Sequence, residues 1–213
     1  MPLTSPLLSG NRKVLVILEG RHDIQFLRNI SAIVHAQRPD LPDLAAFEQQ
    51  DRLIFVPAGG GDFRPWTTRF AGLGLPEFHL YDRELEPESQ RRERCAAIVN
   101  ARPGCRAFVT GKRSLENYLH PQAILEARGL VLAYGDTRDV AQLAAKANFI
   151  VQDGTDWQGL SRRARRRLSD RAKIWLNTTA VQRMTLARLL ERDPEGEIVG
   201  WLTAIVQLLD HGQ

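Results

Sequence analysis

Residues 14–23 read VLVILEGRHD, and this stretch decides how the chain begins to fold. Val14 to Leu18 form an unbroken apolar run rich in Val and Ile, which predicts a short strand buried on both faces of a sheet. After Gly20, apolar residues recur at the spacing of a helix, at positions 24, 27, 30 and 34. We therefore expect a strand, a tight turn and a helix, with Glu19 and Asp23 at the junction.

The same alternation of strands and helices continues to about residue 110. Further strands are predicted at Leu53 to Val56, Phe78 to Tyr81 and Arg106 to Thr110, and helices at about Phe63 to Leu73 and Glu88 to Asn100. This order predicts an α/β fold with right-handed crossovers and a mostly parallel sheet of about four strands flanked by helices.

Beyond Gly111 the pattern becomes mainly helical. A helical turn is expected at Ser114 to Tyr118, a weak strand signal covers Val131 to Ala133, and the last helix, Glu197 to Leu209, has an apolar stripe typical of core packing. We expect residues 1–125 to form one domain. Residues 126–213 are expected to form a mainly helical C-terminal region, packed on that domain or binding nucleic acid.

The composition of the chain is that of a globular protein with an arginine-rich surface. It has 213 residues, 43% hydrophobic and 25% charged, with a formal net charge of +4. Only four of its 29 basic residues are lysines, which suits contact with phosphate groups and equally fits a GC-rich genome. Two cysteines without metal-ligand spacing, no signal peptide and no membrane-length apolar run predict a cytoplasmic protein that does not enter membranes.

A second acidic group follows another predicted strand. Asp82 and Glu84 come directly after the strand in FHLYDRE, as Glu19 and Asp23 follow the first strand. Carboxylates gathered at strand ends repel one another and lose hydration, and a hard divalent cation resolves that conflict. Since α/β folds keep their sites at the carboxyl ends of strands, the two groups predict one site for Mg²⁺ or Mn²⁺.

In this order, the two acidic groups resemble those of the Toprim domain of topoisomerases, primases and related nucleases. The resemblance covers about residues 13–120 and implies a Toprim-like sheet with a metal site for phosphodiester chemistry. Glu19, Asp82 and Glu84 would hold the first metal, with Asp23 supporting it. Glu84 stands where the Toprim pattern usually has a second Asp.

The segment GKRSLENYLH, residues 111–120, resembles a segment of the Toprim domain in OLD-family (overcoming lysogenisation defect) nucleases. That resemblance implies a site for two metals, in which Glu116 helps to bind the second ion and Lys112 neutralises charge on the scissile phosphate. The alternative is that Lys112 and Glu116 form a surface ion pair at i,i+4. OLD-family enzymes carry an ATPase domain before this unit. Because only eighteen residues precede Glu19, we expect any ATPase control to come from a separate subunit.

The letters GKRS also invite comparison with a phosphate-binding loop, but the spacing excludes one. Six residues separate Gly104 from Gly111, where the motif requires four, and Ser114 does not directly follow Lys112. The cluster Gly59 to Gly61 is open to two interpretations, a phosphate cradle or a flexible turn.

An arginine run near the C-terminus is the candidate for contact with a nucleic-acid backbone. It comprises Arg162, Arg163, Arg165, Arg166 and Arg167. Such a run would give salt-dependent, sequence-independent affinity, although a solvated helix face is nearly as good an interpretation. Trp157 and Trp175 flank the run. Their rings are candidates for stacking on nucleobases, and the alternative is that they are core residues.

We therefore expect a Mg²⁺- or Mn²⁺-dependent nuclease, with DNA favoured over RNA and an endonuclease or nickase as the leading hypothesis. A Toprim ribonuclease and primase-like nucleotidyl transfer stay open as alternatives. So does a non-catalytic module that binds nucleic acid or an ATPase partner. The sequence leaves the oligomeric state open.

Overall fold

Four parallel strands form the sheet. The computed structural model describes residues 13–153 and 156–210, without the side chains of residues 151–153. The strands are β1 (Val14–Leu18), β2 (Leu53–Pro57), β3 (Glu77–Tyr81) and β4 (Cys105–Val109). They lie in the order β2-β1-β3-β4, and Val16 of β1 pairs with Phe55 on one side and with Phe78 on the other. The predicted α/β fold is confirmed, and all four strands end at the same edge of the sheet.

Eight α-helices lie within the described ranges. They are α1 (Arg21–His35), α2 (Leu44–Gln49), α3 (Glu88–Asn100), α4 (Pro121–Arg128), α5 (Val140–Asp153), α6 (Arg162–Trp175), α7 (Leu186–Arg192) and α8 (Glu197–Asp210). The helices predicted after β1, at Glu88 to Asn100 and at the C-terminal end are confirmed, as is the helical character of the C-terminal part. None of the helices in these ranges is both long and apolar enough to cross a bilayer.

Two local predictions were wrong. Instead of one helix from Phe63 to Leu73, the chain forms two short 3-10 helices, Arg64–Thr67 and Ala71–Leu73, and Gly74 ends the second in a left-handed conformation. Residues 131–133 form no strand, and Val131 there is 83% exposed. Although that segment is apolar, none of the four described strands pairs with it.

The two faces of the sheet carry separate apolar clusters. Val14, Val16 and Leu18 point to one face, where they join α1, α8 and most of the C-terminal helices, while Leu15 and Ile17 point to the other face, towards α3. This alternation is the period of two expected of a strand, and it explains why a five-residue run is apolar throughout. The apolar stripe of α8 is buried, as predicted.

The end of α6 returns to the sheet. After Trp175 the helix continues through one π-helical turn, Leu176–Ala180, which packs against α1 and α4. Asn29 Nδ2 on α1 donates a hydrogen bond of 3.0 Å to the carbonyl oxygen of Asn177 in that turn. The C-terminal helices are thereby placed beside the segment that follows β1.

Candidate metal centre

Glu19 and Asp23 occupy the junction of β1 and α1. Glu19 is the first residue after β1, and Asp23 lies in the first turn of α1, where the helix dipole favours negative charge. Asp23 is buried, and its Oδ2 accepts a hydrogen bond of 2.7 Å from the backbone N–H of Gly20. The short loop thus turns both carboxyl groups towards the same edge of the sheet.

The glycine cluster after β2 holds the backbone of Glu19. Gly59, Gly60 and Gly61 all have positive φ angles, of 85°, 75° and 82°. The N–H groups of Gly59 and Gly60 donate to the carbonyl oxygen of Glu19 at 2.9 and 3.2 Å. Because these two N–H groups already have a partner, they are not available as a phosphate cradle, and the turn interpretation is the better one.

Asp82 follows β3 and is buried at the next strand end. Its Oδ1 accepts a hydrogen bond of 3.1 Å from the backbone N–H of Leu115, which begins the 3-10 helix Leu115–Tyr118. The helical turn expected at residues 114–118 is therefore present, and it orients the carboxyl group of Asp82.

Glu84 does not continue the strand. Its φ angle is +56°, whereas an extended backbone would have placed its side chain on the same side as that of Asp82. Its N–H donates to the carbonyl oxygen of Arg113 at 2.9 Å, and its Oε2 lies 3.3 Å from Arg113 Nε. Glu84 thus stands at the rim of the site. A left-handed conformation is unfavourable for glutamate, and such local strain is typical of functional sites.

Glu116 is brought to the same place by the 3-10 helix, and its carboxylate is 1% exposed. Asn177 Nδ2, in the π-helical turn after α6, donates a hydrogen bond of 2.9 Å to Glu116 Oε1. The i,i+4 pair with Lys112 does not form. Lys112 Nζ lies 2.8 Å from Asp136 Oδ1 instead, above the ring of Tyr118.

Four carboxyl groups, those of Glu19, Asp23, Asp82 and Glu116, form what we term the acidic cluster. Burial, followed by the charge of Glu116, raises the pKa of Asp23 to about 7. Burial, followed by the charges of Asp23 and Glu116, raises the pKa of Asp82 well above its ordinary value. Burial likewise raises the pKa of Glu19. These groups are close enough to oppose one another's ionisation, and a nearby positive charge would relieve that repulsion.

The positive charge that faces the cluster is Lys173, near the end of α6. The charge of Glu116 raises the pKa of Lys173 above its usual range against the opposing effect of burial, with help from Asp82 and Asp23. Burial alone would raise the pKa of Glu116, but Lys173 and the hydrogen bond from Asn177 outweigh it and lower that pKa. Among the described residues, Lys173 Nζ forms no ion pair, since no carboxylate oxygen lies within 4.0 Å of it. Lys173 is therefore a charge beside the cluster without a direct partner in it.

A second basic group reaches Glu19 from α3. Arg92 is buried, its Nη2 lies 3.6 Å from Glu19 Oε2, and its guanidinium group stacks on the ring of Phe63 at 4.0 Å. Its Nη1 also donates to the carbonyl oxygen of Gly61 at 3.3 Å. Sequence reasoning missed Arg92, Lys173 and Asn177 as parts of the site. Only the position of Lys173, as a lysine at the end of an arginine run, could have drawn attention to it.

The carboxyl groups of the cluster are of the type that binds a hard cation, but they are not gathered around one point. As they stand, no three His, Cys, Asp or Glu side chains of the described ranges are grouped as ligands of one ion. Within those same ranges, Glu19 Oε2 and Asn177 Oδ1 are buried without a hydrogen-bond partner. Buried oxygens without a hydrogen-bond donor, beside mutually repelling carboxyl groups, are the kind of ligand that Mg²⁺ and Mn²⁺ prefer.

The other predicted binding residues lie on the surface or in the core. Arg162, Arg163, Arg166 and Arg167 are exposed on the first two turns of α6, with Arg165 half-buried. Contact of this run with nucleic acid stays a prediction. Trp157 and Trp175 are buried in the main apolar cluster, so they are core residues in this structure and not exposed stacking platforms.

Comparison with known proteins shows a likeness of fold to solved structures. Neither the family models nor the curated proteins with which the chain was compared include a match. Among solved structures, the C-terminal region of the OLD protein of Xanthomonas campestris pv. campestris superimposes with a TM-score of 0.50 at 13% identity. That match covers 96% of this chain and all of that one. A second structure of the same region gives a TM-score of 0.49 at 12% identity, with 97% of this chain and all of that one covered. The chain therefore has the fold of an OLD C-terminal region.

Proposed function

We propose that the chain hydrolyses phosphodiester bonds in nucleic acid with the help of divalent metal, in the manner of a Toprim nuclease of OLD type. The observation that carries this proposal is the acidic cluster, in which carboxyl groups from three separate segments meet at one edge of the sheet. Burial and mutual repulsion raise the pKa of Asp23 and of Asp82. Such an arrangement is costly for a protein that does not use it, and perturbed carboxyl groups of this kind are concentrated at functional sites.

The metal ligands would come from the cluster and its rim. Glu19, Asp23 and Asp82 would hold one ion, with Glu84 at the rim, and Glu116 would contribute to a second ion. When bound, such ions polarise a phosphate group and favour the ionised form of a water molecule. The backbone N–H groups of Gly20 and Leu115 keep Asp23 and Asp82 in place, since each donates a hydrogen bond to the carboxyl group concerned.

Lys173 takes the part that the sequence assigned to Lys112. Its ammonium group is charged and lies beside the acidic cluster, whereas Lys112 is held by Asp136. A cation at this position would bind a phosphate oxygen and stabilise the negative charge that develops on it during cleavage. Arg92 offers a second donor beside Glu19.

Two independent observations support the OLD type in particular. One is the order of the acidic motifs along the chain, with Glu19 and Asp23 first, then Asp82 and Glu84, then Glu116. The other is the likeness of the whole fold to the C-terminal region of an OLD protein. DNA is the first substrate to test.

The experiment is a cleavage assay on supercoiled plasmid, linear DNA and structured RNA, with Mg²⁺, Mn²⁺ or EDTA. We expect cleavage of DNA that requires metal and is lost in Glu19→Gln and Asp82→Asn. Glu191→Gln serves as a matched control, because Glu191 is exposed and outside the cluster. Cleavage that persists in both cluster variants would refute the proposal. Cleavage of RNA alone would indicate the ribonuclease alternative, and extension of a primer with nucleoside triphosphates would indicate nucleotidyl transfer.

A further inference from the structure

A groove of about 1180 Å³ runs beside the acidic cluster, between α3 and the loop that follows β2. Glu84 lines one end of it, and Arg92, which also contacts Glu19, lies in its wall. The groove therefore adjoins the site described above, with Glu84 and Arg92 as the residues that the two share.

Guanidinium groups from two segments line this groove. Arg91, Arg92 and Arg94 come from α3, and Arg64 comes from the facing loop. The lining also has an apolar part, which includes Phe63, Cys95 and Ile98. Arginine is the side chain best suited to phosphate, because its planar fork donates two hydrogen bonds at once.

The acidic residues of the groove are already engaged. Asp62 Oδ1 accepts from the N–H of Arg64 at 3.0 Å, Glu88 pairs with Arg91 at 2.7 Å, and Glu84 pairs with Arg113 at 3.3 Å.

Two of these four arginines, Arg64 and Arg94, keep unused guanidinium donors. In the described part of the chain, no hydrogen bond or ion pair engages the side chain of Arg64. Within the same described ranges, the side chain of Arg94 has only a 3.5 Å contact with Gln90. Both side chains belong to exposed residues, so their charge is available to a ligand.

We propose that this groove binds the sugar–phosphate backbone of the nucleic-acid strand that enters the acidic cluster. Phosphates would contact the exposed guanidinium groups of Arg64 and Arg94, and the apolar part of the lining would lie against the sugars. The inference rests on the proposed function for the identity of the strand. It differs from the arginine run of α6, since the groove adjoins the cluster through the contact of Arg92 with Glu19.

The test compares Arg64→Ala/Arg94→Ala with the matched control Arg38→Ala/Arg106→Ala. The control removes two exposed arginines that do not line the groove. Binding of fluorescein-labelled DNA and RNA oligonucleotides is measured by anisotropy at several salt concentrations, with Ca²⁺ in place of Mg²⁺. Circular dichroism confirms that each variant is folded.

We expect the groove variant to bind roughly tenfold more weakly or worse. The slope of log K against log salt should fall by about two, one for each lost phosphate contact. The control should match the wild type. Wild-type affinity and slope in the groove variant would overturn the proposal, and so would a wild-type protein that binds no oligonucleotide.

The assay also separates this inference from the proposed function. If the wild type cleaves nucleic acid and the groove variant binds and cleaves equally well, the groove assignment fails while the nuclease function stands. If binding depends on Arg64 and Arg94 but no nucleic acid is cleaved with any metal, the groove assignment stands and the nuclease function fails.

Discussion

Asn177 donates a hydrogen bond of 2.9 Å to Glu116, two residues that lie 61 positions apart in the sequence. Glu116 follows β4, and Asn177 belongs to the π-helical turn after α6, so the bond links the C-terminal helices to the edge of the sheet. Lys173 lies one turn earlier on the same helix and contributes the opposing charge. The helical region therefore completes the site and does not merely cover the sheet.

Removal of the Asn177 side chain should destabilise the protein. In Asn177→Ala the buried oxygen of Glu116 loses its hydrogen bond, which we expect to lower the free energy of unfolding by about 1–3 kcal/mol. Urea denaturation measures this change, with Thr179→Ala, at an exposed position in the same turn, as the control. The loss should shrink in the background of Glu116→Gln, where the charge is gone. Equal stability of Asn177→Ala and wild type would show that this bond contributes nothing.

The two lysines should respond differently to substitution. Lys173→Met is expected to reduce cleavage by about 100-fold or more, because the charge beside the phosphate is lost. It should also tighten Mn²⁺ binding, because a cation that competes for the carboxylates has gone. Lys112→Met should keep cleavage within a few-fold of wild type and cost at most about 1 kcal/mol, since its partner Asp136 is half exposed. The opposite ranking of the two variants would restore the role that the sequence predicted for Lys112.

Asp23 should make the metal-free protein less stable as pH rises. The pKa of Asp23 is about 7 in the folded state, against an ordinary value near 4 in the unfolded chain. Between these values the folded state binds more protons, so this residue's contribution to stability is present below pH 4 and is lost as pH rises towards 7.

Asp23→Asn isolates this effect, since the amide is neutral and can still accept a hydrogen bond from Gly20. In EDTA we expect the variant to unfold at a higher temperature than wild type at pH 8, with the difference closing by pH 4. Saturating Mg²⁺ should reduce the difference at pH 8, because metal relieves the repulsion in the wild type. A difference that does not change with pH would contradict the raised pKa.

The sheet could be predicted from the sequence because its signals are local. β1 is an unbroken apolar run, and its two faces need apolar side chains whichever partners they meet. The bounds of α3 match the prediction because Pro87 precedes it and Gly104 comes before the next strand. The segment 63–73 was wrongly predicted as one helix, since Pro65 and glycines 72 and 74 favour short turns over a continuous helix.

The acidic part of the site was predictable for the same reason, and its basic part was not. Glu19 and Asp82 each follow a recognisable strand, and neighbouring parallel strands bring their ends together. Lys173 reaches them through the packing of α6 against α5 and through the π-helical turn after α6, which contacts α1 and α4. Apart from its place as a lysine at the end of the arginine run, no local pattern distinguishes it from the arginines before it. Lys112, close to Glu116 in sequence, was the natural choice and is turned towards Asp136 instead.

Binding of Mn²⁺ to the purified protein, followed by the loss of the electron paramagnetic resonance signal of free Mn²⁺, tests the metal site without depending on a substrate. The wild type is expected to bind one or two ions per chain, with binding competed by Mg²⁺. Asp82→Asn should lose this binding, and Glu191→Gln should retain it. If the wild type leaves all Mn²⁺ free, or if Asp82→Asn binds it as tightly as the wild type, the acidic cluster is not a metal site.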